Sequence, residues 1–125
     1  GIQPRSEMPK YWSVMDASLV LLRDDPEFSK VIPSKIFESM ACGKPILWSG
    51  PRGTGSELIE NREVGIWCGS GNGKLLADCA ISLANDKDRL KTFEDAGVLA
   101  APEFSRKRHA ALTLDVLKDA TGTKT

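Results

Sequence analysis

Three short apolar runs constrain this chain more than anything else in it. They are Ala17 to Leu22, Ile46-Leu47-Trp48 and Val64 to Cys68. Each is too short for a buried helix and is followed by a break rich in Gly, Pro or Asp, then by a helical pattern. Strands alternating with helices at this spacing predict βαβ units and a parallel sheet. Ala17 to Leu22 is almost unbroken in apolar character, which predicts a strand buried on both faces. The expected fold class is therefore α/β: a three-layer, Rossmann-like parallel sheet of about three strands, followed by closing helices. A complete doubly wound sheet normally has more strands, so a partial domain is expected over residues 1–120, with 121–125 as a tail.

The helices are read from their punctuation. A short one opens near Ser6-Glu7-Met8-Pro9 and runs through Tyr11, Trp12 and Met15. Ser56 is expected to cap a helix over Glu57 to Asn61. Lys74 to Asn85 carries a stripe of Leu76, Cys79, Ala80 and Leu83. Asp86 to Ala96 is another helix ending at Gly97, and Pro102 to about Ala120 is the last, with Phe104, Ala111, Leu114 and Leu117 for packing. Trp12, Trp48 and Trp67 are expected in the core.

Composition closes off several classes of function. Lys plus Arg and Asp plus Glu each number 17 in 125 residues, so the formal net charge is zero. A dedicated nucleic-acid binder carries a basic excess, so none is expected as partner. No apolar run is long enough to span a bilayer. Cys42, Cys68 and Cys79 lie in apolar settings without CxxC spacing, which predicts reduced thiols rather than a disulfide framework or metal site. His109 stands in a basic cluster, Arg106-Lys107-Arg108-His109, read as a solvated helix face. No nucleophile–base set can be assembled, so the catalytic residue stays unknown.

The stretch with most chemistry is Ile32 to Pro45. Pro33 suits a first helical position, Gly43 the residue past the end, and Pro45 blocks continuation. Ile36, Phe37, Met40 and Ala41 form an apolar stripe. Ser34 and Glu38 share another face, with Lys35 beside them. Backbone N–H groups at Ser34 and Lys35 suit a phosphate, and Glu38, one turn on, suits paired sugar hydroxyls. The bland alternative is a surface helix with a Lys35–Glu38 pair. In an open parallel sheet, ligands bind beyond the carboxyl ends of the strands. Three loops should meet there: Lys30 to Ser34, Gly50 to Gly55, and Gly69 to Gly73. Neither glycine-rich loop fits a phosphate-loop or dinucleotide pattern. The second is read as a connecting turn. In the first, the glycines either admit a ligand or supply flexibility.

Pro33-Ser-Lys-Ile-Phe-Glu-Ser-Met-Ala-Cys-Gly-Lys-Pro-Ile46 closely resembles the donor-binding segment of retaining GT-B glycosyltransferases, the group-1, capsule and lipopolysaccharide type. Glu7-Met-Pro-Lys-Tyr-Trp12 with Asp16-Ala17 precedes it, and Gly55-Ser-Glu-Leu-Ile59 with Val64-Gly65 follows it, in the family's order. The resemblance implies a nucleotide-diphosphate sugar as donor and a glycan or lipid-linked acceptor. It implies Ile32, Pro33, Ser34, Lys35 and Glu38 as the nucleotide-sugar site, with Glu38 on the ribose. Lys30, Arg52 and Thr54 are secondary candidates. No metal and no bound cofactor are implied. Many relatives carry a second glutamate where this chain has Lys30, so sugar recognition is expected to differ. The resemblance covers only the later part of the family's donor domain. A separate N-terminal acceptor domain is expected in a longer parent, with this fragment inactive alone. The location implied is cytoplasmic, with peripheral contact of the parent at the inner membrane face. An exposed edge on the Ala17–Leu22 strand predicts either a homodimer or marginal solubility. The alternative is a non-catalytic nucleotide- or phosphate-binding α/β module.

Overall fold

The computed structural model describes residues 1–122. Of the expected tail, Thr121 closes the last helix, whereas residues 123–125 lie outside the described residues. Three parallel strands, β1 (Ser18–Leu21), β2 (Ile46–Ser49) and β3 (Gly65–Trp67), form one sheet in the order β1-β2-β3. Ser18 pairs with Ile46, and Ile46 with Gly65. The helices are α1 (Met8–Val14), α2 (Lys35–Ala41), α3 (Thr54–Asn61), α4 (Gly73–Ala84), α5 (Lys87–Ala100) and α6 (Arg106–Thr121). The expected α/β class with a three-stranded parallel sheet is what the chain adopts.

Each face of the sheet has its own core. Val20, Ile46 and Trp48 pack with Ile36 and Met40 of α2 and Ile59 of α3. Leu47 points the other way and packs with Cys68, Leu83 of α4 and Phe93 of α5. Helix α5 serves both cores, because Ala100 belongs to the first. The α4 stripe of Leu76, Cys79, Ala80 and Leu83 lies as its spacing predicts.

Several local expectations give way to the tertiary structure. β1 is buried on one face only: Leu19 is 44% and Leu21 62% exposed. Helix α4 covers the centre of the sheet and leaves this edge bare. Gly97 does not end a helix but lies inside α5. A β-carbon there would stand 3.3 Å from the Met40 backbone, so glycine lets α5 press directly onto α2. The last helix does not begin at Pro102. A 3-10 turn occupies Ala101–Phe104, and Ser105 caps α6 by accepting from the Arg108 N–H. No residue of α6 is buried, so Leu114 and Leu117 face solvent rather than a core. Of the tryptophans, Trp12 and Trp48 are buried and Trp67 is half-buried.

Ser56 is not the cap of α3. The helix starts earlier, at Thr54, and the Ser56 hydroxyl reaches back to accept from the Gly53 N–H at 2.9 Å. The far end of α3 is closed by Glu63, which holds φ of 53°. Its N–H donates to the Glu60 carbonyl, and the Val64 N–H to the Ile59 carbonyl. Helix α2 ends with the same pair of bonds, Gly43 to Met40 and Lys44 to Ser39, and there Gly43 takes the positive φ as expected. Both are Schellman closures.

Candidate functional site

The three loops at the carboxyl ends of the strands do converge. A β-carbon at Gly53 would fall 2.0 Å from the Ser29 carbonyl oxygen, so glycine permits the second loop to touch the 3-10 turn that leads into the first. The Gly50 N–H donates to the Gly69 carbonyl at 2.9 Å and joins the second loop to the third. The Trp67 indole N–H donates to the Gly50 carbonyl at 2.9 Å. Gly55 faces the Trp48 indole, with a β-carbon position 2.3 Å from the ring. Glycines 50, 53 and 55 therefore serve close packing of the chain on itself. That is a third use, beside the ligand access and flexibility read from sequence.

Helix α2 starts two residues later than its sequence suggests. Pro33 precedes the helix, Ser34 is the cap residue, and Lys35 is the first helical residue. The first turn is tight: the Ile36 N–H donates to the Pro33 carbonyl at 3.1 Å and that of Phe37 to Ser34 at 3.0 Å. This leaves the N–H groups of Ser34 and Lys35 without an acceptor among the described residues, as helix starts require. The Ser39 hydroxyl donates to the Lys35 carbonyl at 2.7 Å and lies 2.8 Å from the buried Ser18 Oγ, which fixes α2 to β1.

The structure divides the predicted site residues. The Lys35 ammonium donates to the Leu19 carbonyl at 2.7 Å, on the open edge of β1, so no Lys35–Glu38 pair forms. Pro33 lines a small groove beside it, along Leu19 to Leu22. Ile32 and Thr54 are exposed. The Arg52 guanidinium pairs with Glu60 and stacks 4.4 Å from the Trp67 ring centroid, so it is committed within the fold. Lys30 ends an exposed 3-10 turn next to Ser29 and enters no ion pair among the described residues.

Glu38 lies elsewhere, in a cleft of about 610 Å³ between α1, α2 and the start of α6. Met8, Pro9 and Trp12 of α1 form an apolar wall. Ala41 and Cys42 continue the α2 side, and Arg5 and Arg106 stand at the rim. Neither arginine makes a salt bridge with Glu38 or any other carboxylate among the described residues. The cleft thus offers one unneutralised acceptor pair, two unneutralised cations and an apolar wall. Sequence reasoning missed Arg5, Met8 and Arg106 as site residues. The Met8–Trp12 spacing marks an apolar α1 face, but no local signal brings the start of α6 to α2.

The cysteines divide as well. Cys42 is exposed, against the apolar setting expected for it. Cys68 is buried, and burial followed by the neighbouring Cys79 thiol pushes its pKa up to about 12. Such a thiol is no nucleophile at neutral pH. Among the described residues, no group of three or more His, Cys, Asp and Glu side chains is placed to hold a metal ion. No described helix is long and apolar enough to cross a membrane. No protein-family model matches the chain, and no curated protein matches it.

Proposed function

We propose that this chain is the nucleotide-sugar-binding part of a retaining GT-B glycosyltransferase, acting with a separate acceptor domain on the cytoplasmic side of a membrane. The observation that carries the reading is the Glu38 cleft. A carboxylate with no partner faces an apolar wall, one turn along a helix whose first two N–H groups are unpaired. A carboxylate accepts from two vicinal hydroxyls at once, and free N–H groups at a helix start donate to phosphate oxygens. The resemblance of Pro33 to Ile46 to the donor-binding segment supports the same placement. In this reading Glu38 holds the ribose, the backbone at Ser34 and Lys35 meets the diphosphate, and Ile32 and Pro33 shape the approach.

Calorimetric titration of UDP and GDP into the protein and its Glu38→Ala variant tests the assignment. Charge-assisted hydrogen bonds contribute about 1.5–3 kcal/mol, so the variant binds about 10- to 100-fold more weakly. Unchanged affinity removes Glu38 from the site. A module that binds the nucleotide without transferring sugar would use the same cleft, and Lys30 in place of the usual carboxylate favours it. Sugar transfer by the longer parent decides between them.

A further inference from the structure

We propose that Cys68 and Cys79 form a reversible disulfide, a redox-modification site that fastens α4 to the carboxyl end of β3. The site is separate from the Glu38 cleft, which neither residue lines, and it does not depend on the nucleotide reading.

The topology brings the two sulfurs together. Cys68 directly follows β3, and its N–H donates to the Trp48 carbonyl at 2.7 Å, which anchors it to the sheet. Cys79 stands on α4, in the stripe that packs on the same core as Cys68. The two side chains are hydrogen-bonded to each other across this strand–helix contact. Both are free thiols in this structure. A disulfide needs β-carbons within about 4.5 Å and side chains directed at one another, and facing thiols on a packed strand end and helix approach that arrangement. The connecting turn has room to adjust, because β-carbons at Gly71 and Gly73 would meet nothing within 4 Å.

Access sets the role of each cysteine. Cys68 is fully buried and Cys79 half-buried, so Cys79 meets an oxidant first. With glutathione disulfide as the oxidant, the Cys79 thiolate attacks one of its sulfurs. The oxidant's S–S bond breaks and one glutathione thiolate leaves. Cys68 then gives up its proton, and its sulfur attacks Cys79 Sγ. The mixed-disulfide bond breaks and the second glutathione thiolate leaves. Two protein thiols have lost two electrons, one glutathione disulfide has become two thiols, and the two protons pass through solvent to the leaving thiolates. Burial, then the Cys79 thiol, pushes the Cys68 pKa up to about 12, so Cys68 is not the first attacker. The second step is intramolecular, where effective concentrations of about 10⁵ M and above offset a small thiolate fraction. A thiolate of high pKa is also the stronger nucleophile. The finished bond closes the Gly69–Gly73 turn into a ring. Because the Gly69 carbonyl accepts from the Gly50 N–H, the second loop is tied to the same ring.

The test treats the full chain with glutathione disulfide, with and without urea, blocks the remaining thiols with iodoacetamide and maps every cysteine by peptide mass spectrometry. Cys68→Ala and Cys79→Ala are treated alongside, with circular dichroism to confirm that each folds. In the folded chain the expected product is a peptide pair linked from Cys68 to Cys79, lighter by two hydrogens and restored by dithiothreitol. Cys68→Ala is expected to stop with glutathione on Cys79, and Cys79→Ala to leave Cys68 a free thiol. Glutathione retained on Cys79 of the unsubstituted chain, with Cys68 still free, overturns the proposal. So does a chain in which Cys42 reacts while both other thiols stay free, or a link that forms only in urea. The unsubstituted chain decides the linkage even where a variant fails to fold.

Discussion

Strands β1 and β2 are neighbours of equal length, yet they carry very different loads. All four β2 residues are buried, with Ile46 and Trp48 in one core and Leu47 in the other. In β1 burial alternates: Ser18 and Val20 are inside, Leu19 and Leu21 outside. Both sequences are apolar runs. The difference comes from their position, since α4 packs over β2 while Leu19 and Leu21 of β1 stay exposed. Apolar sequence shows that a strand is suited to burial on two faces, but a second layer must be present to bury it.

The largest test of this contrast is Trp48→Ala. The indole is 1% exposed, and its removal should cost about 3–5 kcal/mol, much of the stability of a chain this size. Urea unfolding measures it, and a loss below about 1 kcal/mol would break the comparison. Leu47→Ala asks whether the second face bears comparable weight, and about 2–4 kcal/mol is expected. Glu63→Gly moves in the opposite direction. Its left-handed backbone disfavours any side chain, so stability should rise by about 1 kcal/mol. The same change would bring the end of α3 to the chemistry already present at Gly43. Leu21→Gln is the smallest, within about 0.5 kcal/mol. A loss above about 2 kcal/mol would show that the outer face of β1 is covered in solution. Size-exclusion chromatography with light scattering would then identify the homodimer expected from sequence.

Much of the architecture was legible because it depends on short-range signals. The three apolar runs, the α4 stripe, and Gly43 with Pro45 after α2 each act within a few residues, and each appears where expected. The site was less legible because its parts come from distant segments. Glu38 could be singled out by its place on α2. Arg5 and Arg106 could not, since only the packing of α1 and α6 beside α2 gives them a common space. Arg52 shows the complementary limit: a cation in a glycine-rich loop gave no sign that Glu60 and Trp67 would engage it. The Lys35 ammonium is likewise taken, by the Leu19 carbonyl at the sheet edge, so the alternative of a Lys35–Glu38 pair does not form. Gly97 looked like a stop signal. Its actual use, to let one helix rest on the backbone of another, depends on a partner far away in sequence.

That last contact also sets the dimensions of the cleft. α5 leads through the Ala101–Phe104 turn into α6, whose first residue is Arg106. The jaw opposite Glu38 is thus hung from α5, and α5 is seated where residue 97 meets Met40. Glycine sets the gauge. A β-carbon there acts as a shim, asking the contact to give by a few tenths of an ångström while leaving every group that lines the cleft chemically unchanged.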